Sequence, residues 1–276
     1  MQKRKRALLV IEILLLLLSA VTLYPIFLVV MNSFKRFKEV RANVIAFPTK
    51  LMVENYAIVW ERIHYPRLFL NNLVITSVAI CGIITLSSIA GFLLSRTKTK
   101  LSWFLYLLLI TPMLIPFQTI MISLLKFTNV IHLSESTVGL GIQYWGFAAP
   151  AAVFMYHSFS KSIPKELDES AIIDGANTPQ MFYRIIFPLL KPVTSTIIIV
   201  DVMWIWNDFL LPLIMINGSD HTKTLTLAAY SFVGQYVSDW QYTMAAIVLS
   251  VTPSILFFLC MQKNIVKGVT AGAIKG

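Results

Sequence analysis

"SIPKELDESAIIDGANTPQMFYRIIFPLLKP", residues 162–192, is a charged stretch punctuated by Pro and Gly inside an otherwise apolar chain. Its local chemistry spells two short helices. Ser162 is suited to cap the first, with Pro164 in its opening turn. Glu166, Asp168 and Glu169 then stand near the positive end of the helix dipole. The spacing of Leu167, Ala171 and Ile172 places them on one face. Gly175 is suited to the left-handed conformation that closes a helix. Asn177 or Thr178 caps a second helix, with Pro179 in its first turn; Pro188 ends it and Pro192 opens the next segment. Two uses fit: an amphipathic loop lying at a membrane surface, or a docking element for another protein. The acidity of the first helix favours docking, because helices that lie in the lipid interface are rich in Lys and Arg. A tight Gly turn also lets a partner approach the backbone closely.

The surroundings are those of a membrane protein. The 276 residues are 57% hydrophobic and 13% charged, with a mean hydropathy of +0.74. Soluble domains carry about 25% charged residues. The net charge of +10 comes from cations that border apolar runs, a pattern of topology-setting charge rather than of nucleic-acid binding. Cys81 and Cys260 lie inside apolar runs and read as packed small hydrophobes, not a disulfide. The four histidines are scattered, with no metal-ligand spacing.

Crossing a hydrocarbon core of roughly 30 Å takes about 20 apolar residues. Six stretches qualify, at about 7–31, 70–94, 101–125, 138–155, 192–216 and 242–261. The first is too long for a signal-peptide core and reads as a retained anchor. The fourth mixes Gly, Gln and Pro into "GLGIQYWGFAAP" and is therefore expected inside a bundle, where neighbours resatisfy its backbone. Lys3, Arg4, Lys5 and Arg6, then Arg96, Lys98 and Lys100, then Lys161, Lys165, Arg184 and Lys191, and finally Lys263, Lys267 and Lys275 all fall on one side of six spans. That side is the cytoplasm, with both termini and the quoted stretch on it. The segment 32–69 is the exception, cation-rich on the opposite side, and "VENYAIVWERI" within it predicts a short surface helix. The expected architecture is one all-α, polytopic domain over 1–276, with a cytoplasmic loop at about 158–191 and a tail at 263–276.

Glu169-Ser170-Ala171, three residues, Gly175, nine residues, then Ile185-Ile186-Phe187-Pro188 resembles the EAA signature of ABC importer permeases, EAA-x3-G-x9-I-x-L-P. Ser170 replaces an Ala of the signature and Phe187 its Leu. "IPKELDESAIIDGA", "FPLLKP", "WNDF" and the tail "GVTAGAIKG" narrow the resemblance to MalG-like permeases of carbohydrate uptake. It implies six transmembrane helices with cytoplasmic coupling helices, in a bacterial cell membrane. It implies a second, MalF-like permease, two ATP-binding cassette subunits, an extracytoplasmic sugar-binding protein and an oligosaccharide substrate. ATPase coupling falls on Glu166, Asp168, Glu169, Ala171, Asp174, Gly175 and Ala176, with a further ATPase contact from Gly272, Ile274, Lys275 and Gly276.

None of the eleven glycines is followed by Lys, so the chain has no GxxxxGK[ST] loop. No enzymatic activity of its own is expected; ATP and Mg belong to a partner ATPase, and this chain binds no cofactor. In "PVTSTIIIVDVMWIWNDFLLPLIMI", Asp201, Asn207 and Asp208 are expensive at membrane depth and are expected to face a cavity or a neighbouring helix. The seven-residue spacing puts Asp201 and Asp208 on one face, with Trp204 between them. Trp204, Asn207 and Asp208, with Gln143 and Trp145 of the fourth span, are candidates for the substrate pathway; bracing of the span by the same groups is the other reading. Pro112 and Pro116 predict a kink in span three. An ion-coupled secondary transporter using Asp201 and Asp208 is the alternative function, though no repeated halves support it.

Overall fold

The computed structural model describes the backbone of residues 2–233 and 239–273, and side chains between 8 and 263 within those limits. In chain order the helices are α1 (Gln2–Ser33), α2 (Phe37–Ala42), α3 (Glu54–Arg62), α4 (Tyr65–Arg96) and α5 (Lys100–Ile110), which runs on as the 3-10 turn Thr111–Leu114. There follow α6 (Phe117–Val130), α7 (Thr137–Ser160), α8 (Glu166–Ile173) and α9 (Thr178–Met181), which passes through the π-turn Phe182–Ile186 into α10 (Phe187–Leu189). The remainder are α11 (Lys191–Asn207), α12 (Leu210–Met215), α13 (Leu225–Tyr230) and α14 (Trp240–Ala273). No strand occurs among the described residues.

Four helices are long and apolar enough to cross a membrane unaided: Leu8–Ser33, Tyr65–Arg96, Thr137–Ser160 and Trp240–Lys263. The other two expected spans are broken. Lys100–Leu114 and Phe117–Val130 meet at 104°, so Pro116 makes a corner where the sequence predicts a kink. Pro116 is extended (φ −61°, ψ 133°), and each arm alone is shorter than the roughly 30 Å hydrocarbon core. The fifth stretch is also interrupted: α11 stops at Asn207, Asp208 is extended (ψ 142°), and α12 starts again at Leu210. At its other end α11 (Lys191–Asn207) meets the helical stretch Thr178–Leu189 at 73°; with each of the two bent pairs counted as one span the chain has up to six.

The chain forms two compact units. One comprises Met1–Pro66 and Leu225–Thr252. In it the side chains of residues 8–27 of α1 are exposed all round, Leu16 at 69% and Val21 at 72%, and only the last turn, with Met31, Asn32 and Ser33, is buried. A helix of that kind is stable only with lipid as its solvent. Two cations of the segment 32–69, Lys35 and Arg62, are engaged within this unit. The Lys35 ammonium is buried and donates to the carbonyls of Asn43 and Val44, both at 3.0 Å. Burial pushes the Lys35 pKa down, and nearby Glu39 partly offsets this. Arg62 lies 3.9 Å from Asp239 and stacks over Tyr242. The predicted surface helix is α3, fixed by Val59 and by Asn55, whose amide donates to the carbonyls of Ser33 and Lys35.

The second unit comprises Arg67–Thr224 and Pro253–Gly276. Helices α4 and α7 pack closely there. A Cβ at Gly91 would lie 2.6 Å from the Tyr156 Cβ, and one at Gly82 would overlap the Trp145 indole. Small residues allow this approach in helix pairs that lack a hydrophobic driving force. The fourth stretch is therefore internal, as its composition predicts: Leu140, Tyr144, Ala152, Val153 and Tyr156 of α7 are all buried. Cys81 and Cys260 are free and exposed, facing outward instead of packing as the sequence reading had it.

Candidate functional site

The loop after α7 is tied down before it turns outward. Ser162 Oγ donates to the Phe159 carbonyl at 2.8 Å, so it closes α7 and does not cap α8. Helix α8 begins at Glu166 with Lys165 as its N-cap, and no side chain caps it. Its anchor is a cation from another helix. Arg96, the last residue of α4, sets Nε 2.6 Å from Asp168 Oδ2, and one terminal nitrogen donates to Asp168 Oδ1 at 3.4 Å. The two terminal nitrogens also donate to the carbonyls of Ser160 and Ile163, each at 3.1 Å. The paired side chains are only 14% and 13% exposed. A fork of this kind fixes direction as well as distance. Asp168 is thereby turned into the protein, away from any partner.

The opposite face of α8 is open. Ala171 is buried, whereas Ile172 is 64% and Ile173 84% exposed; Leu167 is also exposed. The single apolar face predicted for Leu167, Ala171 and Ile172 is thus divided, with Ala171 inward and the other two outward. Glu166, Glu169, Asp174 and Gly175 are exposed. Among the described residues none of these three carboxylates takes part in a hydrogen bond through its side chain or in an ion pair. Beyond Asp174 the chain makes a Schellman closure. Gly175 N donates to Ile172 O and Ala176 N to Ala171 O, both at 3.0 Å. Gly175 has φ +82°, and a Cβ there would meet nothing within 4 Å. The residue is glycine for its backbone conformation alone.

Asn177 then caps α9 in a reciprocal box: its side chain accepts from Gln180 N and Gln180 Oε1 accepts from Asn177 N. The second predicted helix does not end at Pro188. Pro188 lies within α10, after a π-turn in which Phe187 N reaches back to Phe182 O. The bend, 73°, comes at Leu190, where α11 begins. The result is a polar hairpin that shows an acidic and apolar face outward and is bolted to α4 from behind.

The candidate pathway residues are less unified. A cavity of about 170 Å³ lies beside the break in the fifth stretch, lined by Phe117, Gln118, Phe147, Trp204 and Asp208. Asp208 accepts a hydrogen bond from Tyr144 OH at 2.8 Å, and its other oxygen accepts from Leu210 N. Trp204 packs edge-on against Tyr144 at 5.5 Å. Asn207 is taken up with bracing: its amide donates to Met203 O and exchanges hydrogen bonds with Ser254. Gln143 donates to Leu133 O at 3.3 Å and does not line this cavity. Trp145 donates to Val78 O at 3.0 Å and packs α7 on α4. Asp201 is buried and also absent from the cavity; because α11 ends at Asn207, Asp208 leaves the helical face that the seven-residue spacing assigned to both. Of the predicted tail contacts, Ile274, Lys275 and Gly276 lie outside the described residues, and Gly272 is described only as backbone of α14.

The sequence profile of binding-protein-dependent transport system inner membrane components matches residues 83–271, from the middle of α4 to the end of α14 and through the whole hairpin. The chain belongs to that family. It is accordingly a multi-pass membrane permease component of an ABC importer, a class not known as enzymes, which works with other subunits. Full-length relatives agree. The chain is 36% identical over 260 residues, 94% of each protein, to the probable starch degradation products transport system permease protein AmyC of Thermoanaerobacterium thermosulfurigenes. It is 33% identical over 92% of each to the multiple sugar-binding transport system permease protein MsmG of Streptococcus mutans. It is 31% identical over 99% of each to the melibiose/raffinose/stachyose import permease protein MelC of Bacillus subtilis. The fold is shared with a bacterial ABC transporter involved in alginate import, at a TM-score of 0.81 and 18% identity over 95% of this chain and 98% of that one.

Three positions that shape the hairpin or the cavity escape a linear reading. Arg96 stands in "LSRTKTK" as one cation among several, and its pairing across seventy-two residues has no local signal. Tyr144 is hidden in an apolar run, and Gln118 acquires its place only because the chain turns at Pro116.

Proposed function

We propose that this chain is the transmembrane subunit of an ATP-driven, binding-protein-dependent importer of sugars or oligosaccharides. It forms the translocation pathway with a second permease, and two cytoplasmic ATP-binding cassettes drive it through the α8–α9 hairpin. An extracytoplasmic binding protein delivers the substrate; ATP and Mg sit on the cassettes. Both termini and the hairpin lie on the cytoplasmic side of six spans.

One observation carries this reading: α8 keeps Glu166, Glu169 and Asp174 exposed and unpaired beside exposed Ile172 and Ile173, while Asp168 is consumed by Arg96. Polar groups left open on a rigid, outward face suit docking to a partner; a loop that merely rests on lipid would show Lys and Arg. With the Gly turn fixed and α8 bolted to α4, cassette closure moves the hairpin and the span as one body. The carbohydrate assignment is drawn from the relatives and accords with the aromatic and hydrogen-bonding lining of the 170 Å³ cavity, where rings suit sugar C–H faces.

The test is Glu169→Lys in the assembled transporter. Cassette copurification is expected to fall by about 2 kcal/mol of docking energy or more, with uptake lost and the permease still folded. Normal copurification and uptake would sink the assignment. The ion-coupled alternative is not favoured, because Asp201 and Asp208 do not meet in one cavity.

A further inference from the structure

Where α4 ends, α5 begins and α7 ends, the second unit holds a cavity of about 360 Å³. Lys98 and Lys161 line it from two different connections, and no carboxylate lines it. Neither lysine has an ion-pair partner among the described residues. Arg96, the neighbouring cation, is already occupied by Asp168. The inner wall carries His157, only 7% exposed and stacked on Tyr106 at 3.9 Å. Among the described residues no protein group hydrogen-bonds the His157 ring. A largely buried histidine with no hydrogen-bond partner among the described residues, lining a cavity with two cations that form no ion pair there, marks a place suited to an acceptor-rich anion.

The position selects the source of that anion. Three membrane-spanning segments begin or end here, so the cavity sits at the depth of lipid headgroups. Trp103 is part of its lining and is 66% exposed, with Leu101 and Phe104 exposed beside it. The mouth therefore opens onto an apolar surface that acyl chains can follow, and Trp with Tyr is the residue pair of membrane interfaces. Basic pockets between transmembrane helices are places where anionic headgroups bind.

We propose that this cavity binds the phosphate of an anionic phospholipid headgroup, with Lys98 and Lys161 taking its charge, His157 giving a hydrogen bond, and the acyl chains lying along α5. The site needs only the membrane location of the chain and stands whether or not the hairpin docks an ATPase.

Native mass spectrometry of the detergent-solubilised transporter, titrated with phosphatidylglycerol or phosphatidylcholine, tests it. The wild type is expected to retain one phosphatidylglycerol in preference to phosphatidylcholine. Lys98→Gln and Lys161→Gln should each weaken that retention about fivefold, the effect of one cation at an anionic surface. Both lysines are exposed, so the variants keep the fold. Lys126→Gln, exposed on α6 and outside the cavity, should change nothing. Unchanged retention in the double variant, equal retention of phosphatidylcholine, or displacement of the lipid by millimolar inorganic phosphate alone would each overturn the proposal.

Discussion

The hairpin α8–α9 and the break between α11 and α12 look alike on paper: each gathers acidic and amide residues beside Ile, Leu or Trp. In the folded chain they are opposites. At the break Tyr144 and Leu210 N occupy Asp208, and Met203 O with Ser254 occupies Asn207. In the hairpin only Asp168 is matched, and the other carboxylates point outward unpaired. The lesson concerns solvent. A polar group among membrane helices has no water to fall back on and must find protein partners. A polar group in a loop beyond the spans is free to wait for a partner chain. Which polar residues are left unmatched, more than how many there are, separates a docking surface from a brace.

The contrast can be broken most forcefully at Arg96. Arg96→Ala leaves Asp168 unpaired and half-sheltered, and should cost about 3 kcal/mol, read as a fall in the melting temperature of the solubilised transporter and faster proteolysis in the hairpin. Replacing both Arg96 and Asp168 with Leu should recover much of that stability. If uptake stays low in the recovered protein, the pair transmits motion as well as holding the loop. Stability lost equally in both variants would show that the ion pair is not what holds the hairpin.

Gly175 offers a smaller, cleaner effect. Because a Cβ there has open space, Gly175→Val is penalised only through its positive φ, by about 1–2 kcal/mol. Gly175→Asn should be nearly silent in the same melting assay. A Val variant as stable as wild type would mean that the turn relaxes and is not rigid.

The smallest effects belong to the break. Asn207→Ala should cost about 1 kcal/mol by removing the side-chain hydrogen bonds that join it to Met203 O and Ser254, with little change in substrate affinity. Trp204→Ala should do the reverse, weakening sugar affinity in a reconstituted uptake assay, since its ring lines the cavity and packs edge-on against Tyr144. Should Asn207→Ala change affinity and Trp204→Ala leave it alone, the division between brace and pathway would be misplaced.

Legibility followed the range of the interaction. The closure at Gly175, the cap at Asn177 and the acidic opening of α8 depend on neighbours within about four residues, and each was readable. Ser162 misled because its hydroxyl had an equally local alternative, the carbonyl three residues back in α7. The face shared by Leu167, Ala171 and Ile172 misled because periodicity says which residues stand together, not which of them a distant Arg96 pulls inward. Pro116 was readable as an irregularity, but its 104° outcome depends on what packs around the freed carbonyls.

By itself the sequence determined that this chain lives in a membrane, that it is helical, and that one polar hairpin interrupts it with the spacing of an importer signature. Those follow from transfer free energy and backbone geometry, which act residue by residue. The tertiary structure alone decided that Arg96 holds the hairpin, that Asp208 answers to Tyr144, and that two lysines and a buried histidine surround one cavity. Such pairings join residues far apart in the chain, and only the packing of helices brings them within reach.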